Sequence, residues 1–242
     1  MAKKLFFLSL CSLFYGCNSD DSPGSPVDVE GVLASTQSDV NVPTSPTPSI
    51  VVLDHAFNEF PVEFDKDVQS SRSISFKIKR LPNQTSVVFQ VSHGSLDSVL
   101  SFPITIVASG LLELAAVPIG TIGTIQQEAI SRGFVNVINP NRATILGQIE
   151  PSGLSGCQPI TRVKLTGTSL ETNLSLAEGP FYFDSNGLLQ PNQISDLECS
   201  YIFFNVPAGT YLLQFLDAFL GVTSEHEVLA LAGQVSFGYN VP

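Results

Sequence analysis

From Ser73 to the C-terminus this chain is a succession of short apolar runs, each closed by a turn residue, and that spacing constrains its fold more than any other feature. Ser73-Ile74-Ser75-Phe76-Lys77-Ile78-Lys79 alternates strictly. Ile74, Phe76 and Ile78 therefore share one face and Lys77 and Lys79 the other, the period of a half-buried strand. Residues 86–92 (SVVFQVS), 99–108 (VLSFPITIVA) and 111–117 (LLELAAV) continue the series, separated by Pro82-Asn83, His93-Gly94 and Ser109-Gly110. Pro103 cannot donate to a sheet ladder, so its run is expected to be an edge strand or to be broken by a bulge. Residues 121–132 (TIGTIQQEAISR) differ: Ile122, Ile125 and Ala129 recur at helical spacing and Gly133 follows as a C-cap. After Ala143 strands resume as ATILGQIE, TRVKLTGTS, FYFD, YIFFNV, TYLLQFLD and HEVLALAGQVSFGYNV. The fold class this predicts is mainly β: two β-sandwich-like domains in tandem with one short helix between them.

Residues 201–217 (YIFFNVPAGTYLLQFLD) set two very apolar runs around Pro207-Ala208-Gly209. Proline fixes φ and removes a donor, and glycine can take positive φ, so the break reads as a corner. The flanking runs are apolar at nearly every position, as for central strands covered on both faces.

The order ATILGQIEPSG, RVKLTGTS, FYFDSNG, FFNVPAGTYLLQF, VLALAGQVSFGYNV resembles the carboxypeptidase regulatory-like domain, a transthyretin-like (prealbumin-like) sandwich common in secreted bacterial proteins. The resemblance covers roughly residues 143–241, and the piece from Asn205 to Tyr211 is its most specific feature. It implies that Pro207 and Gly209 make a hairpin turn and that Tyr211 packs near the corner. Between Phe183 and Tyr201 the chain departs from the family, inserting a longer DSNGLLQPNQISDLECS. Because transthyretin-like folds are grouped with starch-binding-like sandwiches, the resemblance also implies an alternative function as a carbohydrate-binding module.

The front of the chain reads as a signal. Lys3 and Lys4 precede the apolar residues 5–15 (LFFLSLCSLFY), a run too short to span a bilayer. Phe14-Tyr15-Gly16-Cys17 resembles a bacterial lipobox. The resemblance implies a lipoprotein signal peptide over residues 1–16, acylation of Cys17 and a membrane anchor in the cell envelope, at the outer membrane or cell surface; a plain secretory signal is the alternative reading. Phe14 and Tyr15 depart from the usual Leu followed by Ala or Ser. Residues 17–48 carry many prolines and acidic residues and no aromatic residue, which reads as a disordered tether. Residues 49–140 then form a β-rich domain ending in the helix, and residues 141–242 the second sandwich.

The 43% of hydrophobic residues supply ample core, and 11 basic against 22 acidic residues give a net charge of −11 that repels phosphate backbones. Nucleic acid is not expected as a partner; membrane lipid through Cys17, and envelope proteins or glycans, are. Cys11 lies in the leader, so Cys157 and Cys199 are the body cysteines and are expected to form a disulfide in an oxidising compartment. His55, His93 and His226 are scattered and no C-x-x-C occurs, so neither a metal nor another cofactor is expected.

Catalytic signals are thin. In His93-Gly94-Ser95 neighbouring side chains of an extended segment are expected to point apart, and the strained elbow of a serine nucleophile is missing. Asp184-Ser185-Asn186-Gly187 has calcium-like oxygen density but reads first as a hairpin turn. Glu225-His226-Glu227 reads as the exposed start of an edge strand ahead of a metal site. Tyr182, Tyr201, Tyr211 and Tyr239 lie in strands, as core or corner residues, and the chain has no tryptophan for a sugar platform. Asn83-Gln84-Thr85 and Asn173-Leu174-Ser175 match glycosylation sequons, which the lipobox resemblance implies are accidental. The expectation is therefore a non-catalytic envelope lipoprotein that binds or spaces, with any function on loops such as residues 184–198.

Overall fold

The computed structural model describes residues 22–37, 40–56, 58–60, 63–67, 73–107, 111–149, 160–167, 177–184, 186–191, 199–217 and 221–240. These residues are mainly β and fall into two compact sandwich-like units that meet in sequence at Ile119 and Gly120.

The first unit contains β1 (Pro26–Ser35), β2 (Ser49–Leu53), β3 (Glu63–Asp67), β4 (Ser73–Pro82), β5 (Ser86–His93), β6 (Leu96–Ser101), β7 (Ile104–Thr105) and β8 (Leu111–Ala116). One sheet has the order β3-β4-β1-β8; the other has β6-β5-β2, with β7 also on β5. The alternation of β4 buries Ile74, Phe76 and Ile78 as expected. Pro103 breaks its run, which is why β6 stops at Ser101 and β7 starts at Ile104.

β1 corrects the tether reading. Pro26–Ser35 pairs antiparallel with β4 and parallel with β8, inside its sheet. Val29, Gly31 and Leu33 are buried while Asp28 and Glu30 alternate onto the solvent face, where Asp28 meets Lys77 Nζ at 3.2 Å. The acidic residues that made the segment look solvated occupy one side of a period-2 strand. Gly31 lies opposite Phe76, whose ring fills the space a side chain would need: a Cβ on Gly31 would stand 2.4 Å from Phe76 Cζ and 2.8 Å from the backbone oxygen of Leu112.

The second unit contains α1 (Thr121–Ser131), β9 (Ala143–Ile149), β10 (Ile160–Gly167), β11 (Glu178–Phe183), β12 (Leu189–Gln190), β13 (Ser200–Val206), β14 (Gly209–Asp217), β15 (Gly221–Ala230) and β16 (Val235–Asn240). Its sheets have the orders β10-β14-β15 and β12-β11-β13-β9-β16. The helix ends as its sequence predicts, with Gly133 at φ 72 and the Phe134 N–H donating to Ala129 O at 2.9 Å. It belongs to this unit and not to a domain over residues 49–140. Glu128 Oε1 accepts the Leu189 N–H at 2.8 Å and meets Arg132 Nη1 at 3.1 Å, while Arg132 donates to Leu189 O. The two side chains thus satisfy both backbone groups of Leu189 and close that edge of the sheet. Phe134 stacks on Phe181 at 5.3 Å, and Phe181 meets Phe204 at 5.8 Å.

β13 is apolar on both faces because both are covered. Tyr201 meets Phe215 of β14 at 5.8 Å, and Phe204 lies on the side of Phe181. β14 corrects the same expectation, since Leu212, Gln214 and Leu216 are only half-buried, while Tyr211, Leu213, Phe215 and Asp217 on the other face are buried. The expected final run is two strands, β15 and β16, divided at residues 231–234. Pro207-Ala208-Gly209 is a corner that carries the chain from one sheet to the other, and not a hairpin, for β13 and β14 do not pair. The Tyr211 hydroxyl donates back to Pro207 O at 2.8 Å. Gly209 takes a positive φ of 156 as expected, and Asn205 before the corner is left-handed as well, at φ 54. Its Oδ1 accepts from the Asn139 N–H at 2.8 Å, and its Nδ2 donates to Val137 O at 2.8 Å and to Glu178 Oε2 at 3.1 Å. Gly147 sits opposite Tyr201, and a Cβ there would lie 2.2 Å from Tyr201 Oη and 2.3 Å from its Cζ.

Candidate functional site

β10 is the edge strand of the sheet β10-β14-β15, and its outer side borders a cleft of about 470 Å³ within the second unit. The opposite wall is the start of β11 at Gly179 and Pro180. Tyr182 and Phe203 lie beneath, 2% and 3% exposed. Strand alternation gives β10 two characters: Val163 is buried and Leu165 nearly so, while Arg162 and Lys164 are exposed at the mouth. The Val163 N–H donates to Tyr182 Oη at 3.0 Å, joining the free edge of β10 to the other sheet. Burial raises the Tyr182 pKa, against the opposing pull of that hydrogen bond and of Arg162, so the phenol keeps its proton. Among the described residues neither Arg162 nor Lys164 has an ion-pair partner, and no carboxylate lines the cleft. Glu178, next to the wall, turns its carboxylate to Asn205.

That positive mouth is unusual for this unit. From Gly120 onward the chain has four basic residues, Arg132, Arg142, Arg162 and Lys164, against ten acidic ones. Two of the four stand at one cleft. Sequence reasoning took TRVKLTGTS only as a strand; the usable signal was the pair of cations two residues apart in an otherwise acidic half.

The expected site residues distribute differently. Cys17 and Cys157 lie outside the described residues, as do Asn173, Leu174 and Ser175. Cys199 is fully buried at the start of β13, with φ 47. His55 follows β2, His93 ends β5 and His226 lies within β15. Among the described residues no three His, Cys, Asp or Glu side chains are grouped to hold a metal ion. His93 and Ser95 do not point apart: the tight turn brings Ser95 Oγ to 2.8 Å from His93 Nδ1, which also accepts the Ser95 N–H at 3.1 Å. Because Nδ1 is thereby an acceptor, the pair reads as a turn lock in the β5–β6 hairpin. β15 is an edge strand, and its alternation sets His226 on the face opposite Glu225 and Glu227. Tyr201 and Tyr211 are core and corner residues, and Tyr239 lies in β16. Asn83 is buried.

Asp184, Asn186 and Gly187 lie in the β11–β12 hairpin turn. Asp184 Oδ1 accepts the Asn186 N–H at 2.8 Å and the Leu188 N–H at 2.9 Å, and the Gly187 N–H donates to Asp184 O at 2.8 Å. The Leu188 bond, foremost, holds the Asp184 carboxyl below its ordinary pKa. A depressed carboxylate stabilises the fold above its unfolded pKa and loses that contribution as pH falls through the folded value. The Leu188 and Asn186 amide resonances are therefore expected to shift together on acidification, with a midpoint below that of Asp184 in a denatured peptide. A midpoint at or above the peptide value would contradict the turn geometry.

No family model matches the chain, and no curated protein matches it. Among solved structures, the full ectodomain (Ig1–Ig3) of mouse nectin-like molecule 4 matches at 8% identity with a TM-score of 0.19, covering 89% of this chain. The chain spans 65% of the length of that ectodomain, and a likeness this weak carries no argument. Among the described residues no helix is long and apolar enough to cross a membrane.

Proposed function

We propose that the protein is a non-catalytic cell-envelope lipoprotein, held at a membrane through acylated Cys17, whose sandwich body binds other envelope proteins. The observation that supports this best is the β10–β11 cleft, which joins a strand edge without a neighbouring strand among the described residues to two exposed cations. Those are groups for recognition, and they suit a protein partner better than a sugar. Sugar binding uses exposed aromatic faces, whereas the rings of Tyr182 and Phe203 are buried beneath the cleft. The Tyr211–Pro207 hydrogen bond supports the resemblance to carboxypeptidase regulatory-like domains. A Cys157–Cys199 disulfide completes the reading: it would tie the segment after β9 to the start of β13 and add about 2–4 kcal/mol by limiting the unfolded chain.

Two measurements test this reading. Mass spectrometry of the mature protein should find a lipid-modified Cys17 and, without reductant, no free thiol, and Cys17→Ser should move the protein to the soluble fraction. An unmodified N-terminus, or a Cys17→Ser protein that stays with the membrane, overturns the anchor. In parallel, a glycan array should stay silent; glycan binding that persists in Arg162→Glu would favour a carbohydrate-binding module.

A further inference from the structure

Among the described residues β10 has a sheet partner on one side only. Antiparallel pairing with β14 turns every second N–H and C=O of β10 outward, and the outward Val163 N–H reaches Tyr182 Oη. Arg162 and Lys164 are two residues apart, so they share one face of the strand at a separation of about 6.6–6.8 Å. A strand laid beside β10 would have the same repeat, and its alternate side chains would fall opposite these two cations.

The geometry points to an extended acidic segment of a partner protein as the occupant of this cleft, added along the outer edge of β10 with carboxylates at alternate positions meeting Arg162 and Lys164. This rests on the binding-module reading and gives it a ligand class. Charge favours it twice: the cations have no carboxylate partner among the described residues, and they stand together in a unit whose ten acidic residues outnumber its four basic ones. Strand addition also uses what a small anion would leave idle: the Val163 N–H is held by Tyr182 Oη, and the outward groups that remain for a partner are the Val163 C=O and the N–H and C=O of Leu165. Gly179 and Pro180 form the far wall without a long side chain to obstruct an entering strand.

The test uses the full-length acylated protein in detergent and a fluorescent peptide of alternating glutamate and valine, read by anisotropy. Binding is expected, weakening as salt rises and falling about tenfold or more in Arg162→Ala/Lys164→Ala, whose exposed positions leave the circular dichroism unchanged. The same peptide N-methylated at the pairing amides should lose about as much, and the charge-reversed Arg162→Glu/Lys164→Glu protein should instead prefer the lysine–valine peptide. Absence of binding at millimolar peptide, indifference to the double substitution, or equal binding of the N-methylated peptide would each overturn the proposal. A sulfated or uronic-acid oligosaccharide that binds more tightly than the peptide would overturn it in favour of an anionic glycan. If the peptide fails while the protein still forms partner adducts in the envelope, the strand-addition proposal falls alone and the binding-module reading stands.

Discussion

Replacing Gly147 with alanine is expected to lower the melting temperature of the Gly120–Pro242 unit by about 10 °C or more, the equivalent of roughly 2–3 kcal/mol of overpacking. The added Cβ would meet Tyr201 Oη at 2.2 Å and Cζ at 2.3 Å. Tyr201 has nowhere to retreat: it is fully buried, with Phe203 edge-on at 6.1 Å and Phe215 at 5.8 Å. Its in-register position across from Gly147 fixes the collision, so rotating one torsion cannot remove it. A double-mutant cycle isolates the cause. Tyr201→Leu removes the colliding atoms, and in that background Gly147→Ala should cost well under half as much. Equal costs in both backgrounds would mean that the glycine is needed for something other than the ring.

Gly31→Val should destabilise the first unit by a similar or larger amount, about 3 kcal/mol, because one of the colliding atoms is the backbone oxygen of Leu112 at 2.8 Å and cannot swing aside. Phe76 Cζ, at 2.4 Å, and Cε2, at 2.5 Å, are the others, and Phe76 is buried across the strand pair. A glycine in an exposed tether would behave otherwise, with an effect within about 0.5 kcal/mol. Urea unfolding of Gly31→Val therefore decides whether Pro26–Ser35 is a strand of the core. An unchanged midpoint would return the segment to a tether.

What could be read from sequence and what could not separate along physical lines. β4 was legible because Ile74, Phe76 and Ile78 alternate with polar neighbours and nothing interrupts the period. β1 was not, although Val27, Val29, Gly31 and Leu33 keep the same period, because averaging composition over residues 17–48 let Asp28, Glu30 and the prolines outweigh the alternation. Helix α1 was visible in its spacing and in Gly133, but its membership was not. That rests on Glu128 and Arg132 reaching Leu189, a contact across about 60 residues that no local pattern encodes. At the corner Pro207, Gly209 and Tyr211 were legible, whereas the left-handed backbone of Asn205, whose side chain compensates with three hydrogen bonds, was not. The cleft was the least visible feature. Arg162 and Lys164 look like the solvent face of any strand until the sheet order makes β10 an edge and sets Tyr182 beneath it.

The binding role of the cleft can be tested most directly in the cell. A photo-reactive amino acid in place of Ala177, which lines the cleft without supplying a charge, should give a light-dependent adduct with an envelope protein. The adduct should diminish when Arg162 and Lys164 are both replaced by glutamate, and the same probe at the exposed Val222 of edge strand β15 should give none. No adduct at Ala177, or one that forms equally at Val222 and survives the charge reversal, would contradict a protein-binding role for the cleft.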